Sequence, residues 1–104
     1  MNNQSKVIVT GHGIETGLAL QNFTNENLLN LVSKYKWITI SGVHVVFSKT
    51  RHLFEVEINC NLTDHTFHVT DSDDDPYKAL IKSSNKLAKK LRRFKRKIRE
   101  DHRK

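Results

Sequence analysis

Thirteen of the eighteen Lys and Arg residues fall between Lys78 and Lys104, where Glu100 and Asp101 are the only carboxylates, a local balance of +11. Residues 1–77 hold five cations against nine carboxylates, a balance of −4, so the overall +7 averages two unlike parts. A dense cluster of fixed positive charge at one end orients a molecule toward a polyanion and speeds encounter with it. Lys82, Lys86, Lys89, Lys90, Arg93, Arg96 and Lys97 are the candidate contacts. Their spacing puts like charges four residues apart, as in Lys82/Lys86, Lys86/Lys90, Lys89/Arg93 and Arg93/Lys97. On a helix each such pair costs about 0.2–0.5 kcal/mol. A surface helix selected for stability alone would interleave glutamates, so the retained penalties point to an external anion that relieves them. Contact with about six phosphates would give a log–log salt slope near −5.

Other chemistries find less support. The histidines at 12, 44, 52, 65, 68 and 102 are scattered. His65 and His68, three apart on a strand, would face opposite sides, which is wrong for a shared metal. Cys60 is the sole cysteine, so it forms no internal disulfide, and a buried structural role suits it better than that of a nucleophile. Asp71 to Asp75 suggests a calcium loop, but Pro76 stands where the turn glycine is required and Lys82 where the bidentate glutamate belongs. No phosphate-binding loop, serine elbow or supported carboxylate pair is present, so neither an enzyme nor a cofactor is expected.

The elements that must carry the cations follow from periodicity. A chain of 104 residues suits one domain, with 1–5 and about 100–104 expected to be flexible. Lys6 to Thr10 reads as a strand, Gly11-His12-Gly13 as a turn, and Leu18 to Tyr35 as a helix beginning near Thr16 or Gly17. Alternation then marks three strands, around Val43-Val45-Phe47, Phe54-Val56-Ile58 and Phe67-Val69, joined near Lys49 to Arg51 and Asn61 to Asp64. Asp75-Pro76 opens a second helix, with Asp71, Asp73 and Asp74 placed to favour its N-terminus. The expected fold is α+β, β-α-β-β-β-α, a four-stranded mixed sheet with two helices on one face, like a double-stranded RNA-binding domain.

On the second helix, Tyr77, Leu80, Ile81, Ser84, Leu87, Ala88, Leu91 and Ile98 form the apolar stripe, with the cations opposite. The sheet needs that stripe, which argues against a membrane-surface helix. No apolar run reaches the length of a membrane span, and the N-terminus carries no secretory pattern. The two Asn-x-Thr sequons at Asn22 and Asn61 are then chance patterns in a cytoplasmic protein. The open sheet face should bear His44, Glu55, Glu57 and His68, not the stacking aromatics of an RNA-recognition motif. A GXXG loop, which a KH domain needs, is missing.

Thr10-Gly11-His12 with Ile14-Glu15, Asp75-x-Tyr77-x-Ala79-Leu80, and Lys86-Leu87-Ala88-Lys89-x-Leu91-x-Arg93-x-Lys95 together resemble the bacterial ribosome hibernation factors. This family comprises hibernation promoting factor and ribosome-associated inhibitor A, also called protein Y or sigma-54 modulation protein. The resemblance implies a stress or stationary-phase protein on the small ribosomal subunit, in contact with 16S rRNA in the channel used by mRNA and tRNA. There it blocks translation, on 30S or 70S particles. It places the family's basic helix positions at Lys86, Lys89 and Arg93. The chain departs from the family at Asn27 and Asn30, where lysines are frequent. Ending at Glu100-Asp101-His102-Arg103-Lys104, it looks like the short form, monomeric when free and aided by ribosome modulation factor when ribosomes pair. A generic double-stranded RNA-binding protein is the alternative, because α-β-β-β-α is contained in the same order.

Overall fold

A computed structural model describes residues 6–35 and 38–102, with backbone alone for 99–102. The elements are β1 (Lys6–His12), α1 (Gly17–Ser33), β2 (Ile40–Thr50), β3 (Leu53–Leu62), β4 (Thr66–Asp73) and α2 (Pro76–His102). The sheet order is β1-β2-β3-β4. β1 pairs with β2 in parallel through the α1 crossover, and the other two pairs are antiparallel hairpin neighbours. The α+β architecture is therefore the expected one. Of the ends expected to be flexible, 1–5 and about 100–104, residues 1–5 and 103–104 lie outside the described residues, while α2 continues through His102.

Alternation sets the two faces of the sheet. Val43, Val45 and Phe47 of β2 register with Cys60, Ile58 and Val56 of β3, and all six are buried beneath the helices. Leu20, Leu28 and Val32 of α1 and Leu80, Leu87 and Leu91 of α2 close this core. His44, Glu55, Glu57 and His68 lie on the other face, as expected. There His44 Nε2 and Thr10 Oγ1 are 2.9 Å apart, and His68 Nδ1 lies 2.7 Å from Asn59 Oδ1 and 3.5 Å from Glu57.

Element ends differ from the pattern in informative ways. β1 runs through Gly11 to His12, and Gly13 and Gly17 take positive φ, both +76°, as does Arg51 at 58°. Gly11 serves closeness, since a Cβ there would run into the Ile14 carbonyl. α1 stops at Ser33, and Tyr35 is buried in the turn that follows, its N–H donating to Val32 O at 3.0 Å. Three small polar residues, Thr24, Ser83 and Ser84, also join the core. Thr24 returns its hydroxyl to Leu20 O at 2.8 Å, and Ser83 donates to Ala79 O at 2.9 Å and toward Val56 O at 3.3 Å. These local bonds satisfy hydroxyls that burial would otherwise penalise. With Ala79 and Ser83 fully buried and Tyr77 and Ile81 exposed, the packed stripe of α2 is rotated from the one expected.

Candidate nucleic-acid interface

α2 starts where the sequence signals it. Asp75 Oδ1 accepts the Tyr77 N–H at 2.8 Å, capping an end whose next residue is Pro76. Twenty-seven residues follow, a rod of about 40 Å at the usual rise. Leu91 is its last fully buried side chain among the described residues, so the distal part carries most of its cations past the main core. At roughly 100° per residue, Lys82, Lys86, Lys89, Lys90, Arg93, Arg96 and Lys97 fall within a sector of about 120°. All seven are exposed. The structure thus gathers every sequence-derived candidate on one continuous ridge.

That ridge has two parts. On β4 the inward row Phe67 and Val69 continues as Asp71 and Asp73, so these carboxylates face α2. Lys82 Nζ donates to Ser72 O at 2.8 Å and lies 3.5 Å from Asp73 Oδ2 and 3.7 Å from Asp71 Oδ1. Lys86 Nζ donates to Thr70 O at 2.8 Å and pairs with Asp71 Oδ2 at 3.4 Å. The match is geometric: four residues on a helix advance about 6 Å, and two on a strand about 6.6 Å. The proximal third of the ridge is therefore partly neutralised from within. Lys89, Lys90, Arg93, Arg96 and Lys97 make no ion pair among the described residues. Lys95 turns away toward Tyr35, its Nζ 5.9 Å from the ring centre.

The sequence pattern assigned Asp71 and Asp73 to the helix dipole, but they belong to the strand and answer two lysines instead. The Ser72 N–H first, and Lys86 after it, hold the Asp71 carboxyl below the usual range. Asp73 is lowered by hydrogen bonding to Asp74 and to the Asp75 N–H, with Lys82 adding to it. A depressed folded-state pKa means that this contribution is complete above the unfolded value of about 3.9 and is lost as pH falls through the folded one. Both lysines are about half exposed, 48% and 53%. Lys86→Met should accordingly cost no more than about 1 kcal/mol at neutral pH. The deficit should shrink as pH falls below the unfolded value of about 3.9 and on through the lowered folded-state one. Urea denaturation at pH 7 and pH 3 checks both statements, and an equal loss at the two values would show that Asp71 is not the partner that matters.

At the far end of the sheet an aromatic group meets the ridge. His65 and Phe94 are parallel, with centroids 5.8 Å apart at 10°, and Phe67 stands edge-on to both, at 4.5 Å from His65 and 5.5 Å from Phe94. His65 is exposed, while Phe67 and Phe94 are half-buried. Sequence spacing gave no sign of this group, because its members come from the β3–β4 turn, β4 and α2.

Residues 7–99 match the family described as Sigma 54 modulation protein / S30EA ribosomal protein. The chain belongs to this family. Its fold also matches solved structures. One is a ribosomal subunit interface protein from Coxiella burnetii, with TM-score 0.74, 25% identity, and coverage of 86% of this chain and 97% of that one. Another is the Thermus thermophilus Protein Y N-terminal domain, with TM-score 0.74, 24% identity, and coverage of 86% and 94%. The comparison with curated proteins returns no match. For this S30EA-family chain the buried thiol is a packing element: burial pushes Cys60 up to about 11, far from a thiolate at neutral pH. Among the described residues no cluster of His, Cys, Asp or Glu could hold a metal ion, and no helix is long and apolar enough to cross a membrane.

Proposed function

We propose that this protein is a ribosome hibernation factor that lies on 16S rRNA of the small subunit, in the channel that mRNA and tRNA use. It blocks translation by occupancy and preserves inactive ribosomes, acting as a binding protein rather than an enzyme. The observation that carries this reading is the distal ridge, where five exposed cations stand without internal carboxylate partners among the described residues. Such charges gain by displacing counterions from phosphates, whereas Lys82 and Lys86 must share theirs with Asp71 and Asp73. Membership of the S30EA family supports the ribosome as the partner of the ridge, and likeness to a solved ribosomal subunit interface protein supports the same reading. The proposed site is Lys89, Lys90, Arg93, Arg96 and Lys97, with Lys82 and Lys86 as weaker contributors. The setting is the cytoplasm under stress or in stationary phase, with 70S particles as a further partner and ribosome modulation factor assisting when ribosomes pair.

Sedimentation of purified 30S and 70S particles with the protein tests this directly. The protein should pellet with both at low salt, and binding should weaken with a log–log slope between about −4 and −5, reflecting roughly five phosphate contacts. Equal affinity for arbitrary RNA duplexes would favour the generic double-stranded RNA binder. Free protein in the supernatant at low salt would remove the reading.

A further inference from the structure

We infer that His65, supported by Phe94 and Phe67, is a stacking site for an unpaired nucleobase at the flank of the phosphate-binding ridge. The inference rests on the ridge facing RNA, and adds a second kind of contact to it. Phe94 shares the helix with the cations: Lys90 precedes it by four residues and Lys97 follows by three, so both are its neighbours on the helix surface. The imidazole comes from outside the helix. A turn in which Leu62 N–H donates to His65 O at 2.7 Å fixes the His65 backbone just before β4 begins. Its ring is then parallel to Phe94, at 10°, while perpendicular Phe67 braces both.

Packing accounts for the two half-buried phenylalanines, which close that end of the core. It accounts less for His65, an exposed turn residue that lies over these two rings from outside the core. What the placement achieves is a flat ring in solvent, continuing a parallel aromatic pair, beside cations that track a backbone. Proteins that bind single-stranded nucleic acid combine those two features, since phosphate contacts position the strand and an aromatic face accepts any base. Duplex RNA offers no free base faces along its length, so this site selects loops, bulges or ends.

The test uses a short RNA duplex with one 2-aminopurine bulge and the same duplex without the bulge. Wild-type protein should prefer the bulged RNA and quench the 2-aminopurine on binding. His65→Ala should lose roughly 5- to 150-fold affinity for the bulged RNA only, with the quench gone and the salt slope unchanged. His65→Phe should restore both. Phe94→Leu, which keeps the apolar packing, should also weaken the quench. If His65→Ala binds and quenches like the wild type, the stacking site is wrong while the ridge stands. If the wild type binds neither RNA, the ridge reading falls and takes this inference with it.

Discussion

Replacing Lys89, Arg93 and Lys97 together by Glu should abolish sedimentation with small ribosomal subunits while the thermal transition stays in place. Each phosphate contact contributes close to 0.9 to the salt slope, so three lost contacts lower affinity on the order of 500-fold at about 0.1 M salt, before any repulsion is added. The slope itself should fall from about −4.5 to about −2. Folding has no stake in these side chains, which are exposed and without ion-pair partners among the described residues. Surface changes of this kind usually move stability by less than about 0.5 kcal/mol each. Lys86 is left out of the triple variant because it holds Thr70 O and Asp71, and reversing it would disturb the fold as well. Retained pelleting of the folded variant would take the distal cations out of the interface.

The converse substitution lies on the same helix. Leu87 is fully buried against the sheet, and Leu87→Ala leaves a cavity that its neighbours fill only in part. The expected cost is about 2–5 kcal/mol, a large share of a total of about 5–15 kcal/mol. For a domain of this size the melting temperature should drop by at least about 10 °C. Binding at low temperature should survive, because the ridge keeps every charge. A differential scanning calorimetry trace matching wild type would mean that α2 is not packed on the sheet through this residue. Together the two variants separate the cationic side of one helix from its apolar side.

The fold was largely legible because the period-2 rows of β2 and β3 and the capped start of α2 are local signals. Val43, Val45 and Phe47 announce a face wherever they occur, and Asp75-Pro76 starts a helix whatever lies beyond it. The ends were less legible. β4 reaches Asp73 because carboxylates can occupy inward positions when lysines arrive from a helix nine or more residues away, and no local pattern records that arrival. The stripe on α2 departs from its hydropathy pattern at Ala79 and Ser83 for a related reason. Their small side chains are buried by close approach to the sheet, with one hydroxyl satisfied internally, so hydropathy alone ranks Tyr77 and Ile81 above them. Within the candidate site, the concentration of cations was visible from composition, but its division into a neutralised and an open part was not. The aromatic group at its flank depends wholly on three elements meeting in space.

The lysines laid across β4 have a further consequence. That strand is the last in the sheet, so its backbone would otherwise be a ready template for a strand from another molecule. Two of its alternate acceptors, at Thr70 and Ser72, already hold ammonium groups, and an incoming chain would have to evict both and leave them stranded near its own N–H groups. Edge-to-edge aggregation is thereby discouraged where copies of a protein accumulate at high density.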